Sequence, residues 1–248
     1  MIKEVLIRDG SYGIPYTEAI KGDEDKIVIV IHGFGSSKES PTAQMMLEGL
    51  PKHGIGAIAF DFPAHGISPV DGDHLTVDGC VKDLNDIEKM IKSKYPNAEV
   101  CYFGSSYGAY IALNHIVKNN VSSAKLFCRS GAVNMPEIFS NPDAEQKAEF
   151  DKKGYIVLEY DSARPLKVTW EFIEDLLRND LFENFTKGDS KIKMIHGDMD
   201  EDVDYKRVVE FTEKFNIQLS TVTGGDHRLS IEGAPERVLK EAITFILQ

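Results

Sequence analysis

Cysteine is scarce in this chain. Its 248 residues include three, Cys80, Cys101 and Cys128, an odd number with no CxxC pair. Two of them fall in apolar, strand-like runs where cysteine behaves as a small hydrophobe, so buried free thiols are expected rather than a redox or metal site. Positive charge is also in deficit: 28 Lys and Arg stand against 40 Asp and Glu, a formal net charge of -12. Such a surface repels phosphate backbones, which argues against a nucleic-acid partner and leaves small neutral or modestly charged molecules as substrates. Long apolar runs are missing as well. No stretch approaches the ~18 residues of a membrane span, and the opening MIKEVLIRDG alternates charge with apolar residues instead of building the core of a signal peptide. These absences lead us to expect a soluble, cytoplasmic protein without a membrane span. No internal repeat, low-complexity tract or linker divides the chain, so residues 1–248 are expected to form one domain.

What the chain does contain is alternation. Nearly continuous apolar runs occur at IVIVI (27–31), IGAIAF (55–60), VCYF (100–103) and AKLFC (124–128), with weaker ones at IKMI (192–195) and IQLSTV (217–222). Runs of this kind fit strands covered on both faces. VLIR and SYGIPYTEAI near the start suggest an antiparallel entry. Helix-like segments lie between the strands at 41–50, 77–94, 107–117, 205–215 and 234–247. In the second, Val77, Val81, Leu84, Ile87 and Ile91 keep a three-to-four spacing, with charges on the other face. Strand and helix in alternation predict an α/β protein with a doubly wound, mainly parallel sheet, whose ligands bind beyond the carboxyl ends of the strands. The alternation breaks at about 134–187, where a strand-like YIVLEY and a helix-like VTWEFIEDLLRND sit among Pro, Asn and charged residues. We read this stretch as an insertion over the sheet's carboxyl edge.

The loops after the strands are where the chemistry should lie. GSSYG (104–108) fits G-x-S-x-G when Ser106 is the central serine, and it has the required strand before it and helix after it. A nucleophile on so sharp a turn needs Gly104 and Gly108, because side chains there would collide with neighbouring elements. Ser105 lacks that frame. A serine hydroxyl attacks a carbonyl only with a neutral histidine to take its proton and a carboxylate to orient that histidine. Of the seven histidines, His227, in the Gly-rich loop after the last predicted strand, has the best position. For the acid, HGDMDEDVD offers Asp198, Asp200, Asp202 and Asp204 after the strand 192–195. Distance from the strand favours Asp200, with Asp198 as competitor; Asp202 and Asp204 are expected to cap the helix beginning near Tyr205. HGFG (32–35) follows the strongest strand. Its glycines let backbone N–H groups turn toward a developing oxyanion, the donors being Phe34 and Tyr107, while His32 is expected to tie the loop. A phosphate loop is discounted, since HGFGSSKES fits neither G-x-x-x-x-G-K-[ST] nor G-x-G-x-x-G.

Taken together, HGFG, DFPAHGIS (61–68), GSSYG, HGDMDEDV (196–203) and GGDH (224–227) resemble the α/β-hydrolase superfamily, in its chain order of serine, acid and histidine. The resemblance spans almost the whole sequence. It implies the α/β-hydrolase fold, and in its HG-x-x-D-x-x-V pattern the second acid is catalytic, which supports Asp200 independently. DFPAHGIS departs from D-x-x-G-H-G-x-S by Ala64 in place of glycine. The insertion is similar to the small cap of bacterial cinnamoyl or feruloyl esterases, which implies a pocket bordered by aromatics such as Phe139, Tyr155, Tyr160, Trp170 and Phe172; Trp170, Tyr155 and Tyr160 are the expected substrate contacts. The function so implied is a serine carboxylesterase acting through an acyl-enzyme on small aryl or medium acyl esters, hydroxycinnamoyl esters among them, with no metal or organic cofactor. A serine peptidase or acyltransferase on the same three residues, or a non-catalytic binding protein on a hydrolase fold, is the alternative.

Overall fold

The computed structural model describes residues 1–121, 123–160 and 164–248. An eight-stranded sheet forms its centre. Strands β1 (Ile2–Leu6) and β2 (Ile14–Ala19) enter as an antiparallel pair, and β2 continues antiparallel onto β4 (Gly56–Phe60). From β4 onward every pairing is parallel, through β3 (Lys26–Ile31), β5 (Glu99–Ser105), β6 (Lys125–Arg129), β9 (Lys191–Gly197) and β10 (Gln218–Val222), in the order β1-β2-β4-β3-β5-β6-β9-β10. The doubly wound, mainly parallel sheet expected from the sequence is therefore present.

IVIVI explains the two layers around it. Successive side chains of a strand point to opposite faces. Ile27, Ile29 and Ile31 enter one core with helices α2 (Val77–Lys94), α3 (Tyr107–Lys118) and α8 (Tyr205–Lys214). Val28 and Val30 enter the other with α1 (Pro41–Gly49) and α9 (Ala234–Leu247). Helix α2 starts where the Thr76 side chain accepts the Gly79 N–H at 2.9 Å, and its apolar stripe, Val77, Val81, Leu84, Ile87 and Ile91, is buried. Each such side chain contributes roughly 1.5–3 kcal/mol by leaving water. All three cysteines are free and buried.

Between β6 and β9 the chain leaves the sheet for α4 (Met135–Phe139), α5 (Ala144–Lys153), the hairpin β7 (Tyr155–Leu158) and β8 (Leu166–Thr169), then α6 (Trp170–Arg178) and α7 (Leu181–Asn184). Residues 161–163 of the expected insertion lie outside the described residues. Here the helix-like reading of VTWEFIEDLLRND needs correction: Val168 and Thr169 are strand, paired with Ile156 and Tyr155. The helix begins at Trp170, where the Thr169 hydroxyl accepts the Phe172 N–H at 3.2 Å. Two β-branched residues at a helix start suit a strand end and a cap, and Tyr155, the pairing partner of Thr169, is fourteen residues upstream, beyond any local pattern.

Candidate active site

Strand β5 runs to Ser105, two residues past the apolar run, which leaves Ser106 alone between strand and helix. Its backbone sits at φ 52° and ψ -116°, a region a residue with a Cβ adopts only under strain. Neighbouring contacts impose it. The Ser106 N–H donates to the Arg129 carbonyl at 2.9 Å, and the Ser106 carbonyl accepts the Ala109 N–H at 3.0 Å as the first turn of α3. A Cβ on Gly104 would stand 2.5 Å from the Ala109 Cα, and one on Gly108 would strike the carbonyl oxygens of Ile31 and His32.

Three loops then converge. The Ser106 Oγ lies 3.0 Å from His227 Nε2, and His227 Nδ1 lies 2.8 Å and 3.0 Å from the two oxygens of Asp200. An ionised carboxylate only accepts, so Nδ1 carries the proton and Nε2 is left to accept from the serine hydroxyl. Burial opposes the charge on Asp200, but hydrogen bonds from His196 and His227 and from the Val203 N–H outweigh it and hold the carboxyl well below its ordinary range. The turn 200–203 wraps this carboxylate, with the Asp202 and Val203 N–H groups donating to Oδ1 at 3.0 and 2.8 Å.

The other acids of HGDMDEDVD are placed elsewhere. Asp198 accepts the Gly224 N–H at 2.6 Å and so ties the start of the histidine loop. Asp204 caps α8 as expected, accepting from the Lys206 N–H. Asp202 does not cap it. Because the turn draws its backbone toward Asp200, its side chain points outward and ends 4.0 Å from His227 Nε2. His196, absent from the sequence-based site, donates from Nε2 to Asp200 at 2.8 Å from a fully buried position. The available signal was its place four residues before the acid in HGDMD, but nothing in one sequence distinguishes that from a strand-end histidine.

Next to the serine runs the HGFG loop. A Cβ on Gly33 would stand 3.2 Å from the Ser106 Cβ. Among the described residues neither the Phe34 N–H nor the Tyr107 N–H has a hydrogen-bond acceptor. Two buried histidines hold the loop. His32 donates from Nδ1 to the Gly33 carbonyl at 2.8 Å and accepts the Phe62 N–H at Nε2; His65 donates to the Pro63 carbonyl at 2.8 Å and accepts the Gly35 N–H at 3.1 Å. Each must be neutral to make both bonds, and burial pushes their pKa values down to about 4 and about 3. Ala64 adopts φ 65°, so the alanine keeps the left-handed backbone expected of the glycine it replaces.

The aromatic side chains divide. Phe34 packs against His65, Tyr107, Phe139 and Phe172 at centroid distances of 5.3–5.6 Å. Tyr160 lies across Gly35, its ring 2.5 Å from where a Cβ would be. Trp170 and Tyr155 are not brought to this cluster: Trp170 is 48% exposed with its ring on Phe150, and Tyr155 lies under the Lys167 ammonium at 4.8 Å. The hairpin pairing turns them to the insertion's own surface. A cavity of about 100 Å³ opens inside the insertion, its lining mixed: Phe139, Phe150, Ile156 and Ile173 meet Asn141 and Gln146 there. A larger open groove, near 470 Å³, lies at 187–192 and 216–218, beside the amino ends of β9 and β10 and so at the far edge of the sheet from Ser106. Among the described residues no group of three or more His, Cys, Asp or Glu could hold a metal ion, and no helix is long and apolar enough to cross a membrane.

Residues 22–154, more than half of the chain, match the hydrolase family described as serine aminopeptidase, S33. The chain belongs to that family. No curated protein matches it. Among solved structures, this hydrolase is similar to a hydrolase candidate from Agrobacterium vitis S4, at 21% identity and a TM-score of 0.83, covering 99% of this chain and 98% of the other. It is also similar to alpha/beta hydrolase domain-containing protein 10 from mouse, at 20% identity and a TM-score of 0.77 over 99% and 98% of the two chains. A third is Est1E from Butyrivibrio proteoclasticus, solved with ferulic acid, at 20% identity and a TM-score of 0.77 over 98% of each chain. With the sheet order above, these likenesses make the fold that of an α/β-hydrolase.

Proposed function

We propose that this hydrolase is a serine carboxylesterase. The observation that carries the reading is the unbroken relay from Ser106 through His227 to Asp200, beside two backbone N–H groups without acceptors among the described residues. In this mechanism Ser106 Oγ attacks the ester carbonyl carbon while its proton passes to His227 Nε2. The carbonyl oxygen becomes an oxyanion received by the Phe34 and Tyr107 N–H groups. The C–O bond to the alcohol then breaks, and the leaving oxygen takes the proton from His227. Water attacks the acyl-serine with His227 again as base, which releases the carboxylic acid and restores the hydroxyl. Asp200 stays ionised throughout and stabilises the imidazolium.

For the acyl group, the insertion at 134–187 acts as a cap. Phe139 joins the Phe34 cluster on one side and lines the cavity on the other. At about 100 Å³ that cavity is smaller than the ~150 Å³ apolar cavity able to take benzene, which favours a short or medium aliphatic chain, with an aryl group fitting after side-chain movement. Ferulic acid bound to Est1E keeps hydroxycinnamoyl esters in the test panel.

One observation favours a second reading, an aminopeptidase. Asp202 is 4.0 Å from His227 Nε2, and Glu201 accepts the His227 N–H at 3.3 Å, so carboxylates stand where a substrate ammonium could be bound. The experiment is labelling with a fluorophosphonate probe, followed by kcat/KM on p-nitrophenyl esters of two to eight carbons, methyl ferulate and aminoacyl p-nitroanilides. We expect labelling at Ser106, its loss in Ser106→Ala, and turnover of esters above anilides. Preference for the anilides moves the assignment to the second reading, and an unlabelled protein removes both.

A further inference from the structure

Arg129 ends β6 one strand away from the nucleophile, in register with Ser105, and its side chain is buried. Its guanidinium donates to the Ser105 Oγ at 2.9 Å and to the Arg228 carbonyl, while its own carbonyl holds the Ser106 N–H. One side chain thus joins the residue before the nucleophile to the residue after His227, two loops more than a hundred residues apart in sequence. Among the described residues no carboxylate lies within ion-pair distance of it. A buried cation without such a partner is expensive to keep, and an apolar side chain would fill the same space at lower cost.

The surroundings of His227 supply a reason for it. Asp200, Asp202 and Glu201 approach the ring or its backbone from the β9–α8 loop, with Asp198 at the base of that loop bonded to Gly224. Tyr160 adds a hydroxyl near Asp202. Within its own loop Asp226 and Arg228 flank it, and Ser106 bonds its Nε2. Carboxylates around an imidazole favour the protonated ring, which cannot accept the serine proton. Arg129 is the buried positive charge set against them, and it interacts with both Asp200 and Asp226.

We propose that Arg129 is the positioning residue of this site: it holds the Ser105–Ser106 elbow and the His227 loop in register and sets a buried positive charge against the surrounding acids. The inference rests on the reading of Ser106 as nucleophile. Arg129→Met removes charge and bonds; Arg129→Lys keeps the charge and loses the two-way grip. On p-nitrophenyl acetate we expect Arg129→Met to lower kcat by roughly 10- to 100-fold, with KM within about threefold. Its acid limb in kcat/KM should move up by about half a pH unit or more. Arg129→Lys should leave the limb in place while kcat falls about three- to tenfold. Fluorophosphonate labelling rates should follow kcat, and the thermal midpoint of each variant shows whether it is folded. A folded Arg129→Met with wild-type kcat and limb overturns the proposal, as does a variant that loses stability alone. Should Arg129→Met fail to fold, Arg129→Lys decides: wild-type kcat overturns the proposal, and a lowered kcat with an unmoved limb supports it. A wild type that neither labels nor turns over ester would instead defeat the reading of Ser106, a separate result.

Discussion

The strained backbone at Ser106 can be measured apart from its chemistry, by comparing Ser106→Gly with Ser106→Ala. Both lose the hydroxyl and its 3.0 Å bond to His227, so that contribution cancels between them. What differs is the conformation at φ 52°, ψ -116°, which alanine holds with a Cβ and glycine without one. Strain of this kind is worth about 1–3 kcal/mol. Against it, glycine gives the unfolded chain more freedom, worth about 0.4–1 kcal/mol in the opposite direction. The difference leaves Ser106→Gly more stable than Ser106→Ala by roughly 0.5–2 kcal/mol. For a chain of this size each kcal/mol corresponds to about 2–4 °C in the thermal midpoint. Urea unfolding at one pH, with equal m-values for the two variants, is the assay, and thermal midpoints are the cross-check. Both should have lost kcat by a factor on the order of 10⁴ to 10⁶. An alanine variant as stable as the glycine variant, or more so, would refute the argument that the neighbours of the turn force a conformation unfavourable to any side chain.

Asp200→Asn should lower kcat on the order of 10³- to 10⁴-fold, while Asp198→Asn, which alters only the tie to Gly224, should lower it less than tenfold; kinetics of the two variants on one ester would expose the reverse ranking. Acid should loosen the loop beside the serine. The folded pKa values of His32 and His65 are depressed from 6.5 to about 4 and about 3, so the unfolded chain takes up protons first as pH falls. The stability these rings contribute is complete above pH 6.5 and is lost progressively down to about pH 3, at up to ~1.4 kcal/mol per pH unit for each ring. Urea unfolding between pH 6.5 and 4.5 should therefore show a slope that flattens in His65→Gln; an unchanged slope would count against neutral buried rings. Substrate discrimination should respond at the HGFG loop rather than on the insertion's surface. Tyr160→Ala should change the ratio of kcat/KM between octanoyl and acetyl esters by an amount worth roughly 1–3 kcal/mol, and Trp170→Ala should leave it within about twofold. Equal effects from the two would mean that packing on Gly35 does not shape the pocket.

Apolar runs with β-branched residues, spaced by amphipathic helices, were enough to specify the mainly parallel sheet, because each strand's burial on two faces is written in its own composition. The elbow was legible for a similar reason: two glycines, a serine, a strand and a helix lie within a dozen residues, so the steric demand is local. That Asp200 rather than Asp198 lies beside His227 was within reach of counting from the strand end. Counting failed where a side chain's surroundings come from distant segments. Thr169 and Val168 pair across a hairpin with residues fourteen and twelve positions away, and that pairing sends Trp170 outward and leaves Tyr160 on Gly35. Asp202 was drawn off its capping position by a turn closed around a buried carboxylate. His196 and Arg129 look in sequence like ordinary residues at strand ends. The turn after β9 brings Asp200 back onto His196, and only when β5, β6 and the loop after β10 are laid side by side does one guanidinium bridge Ser105 and Arg228. Backbone conformation follows from near neighbours, whereas the charge and hydrogen-bond partners of a buried polar group depend on which strands the sheet places next to it.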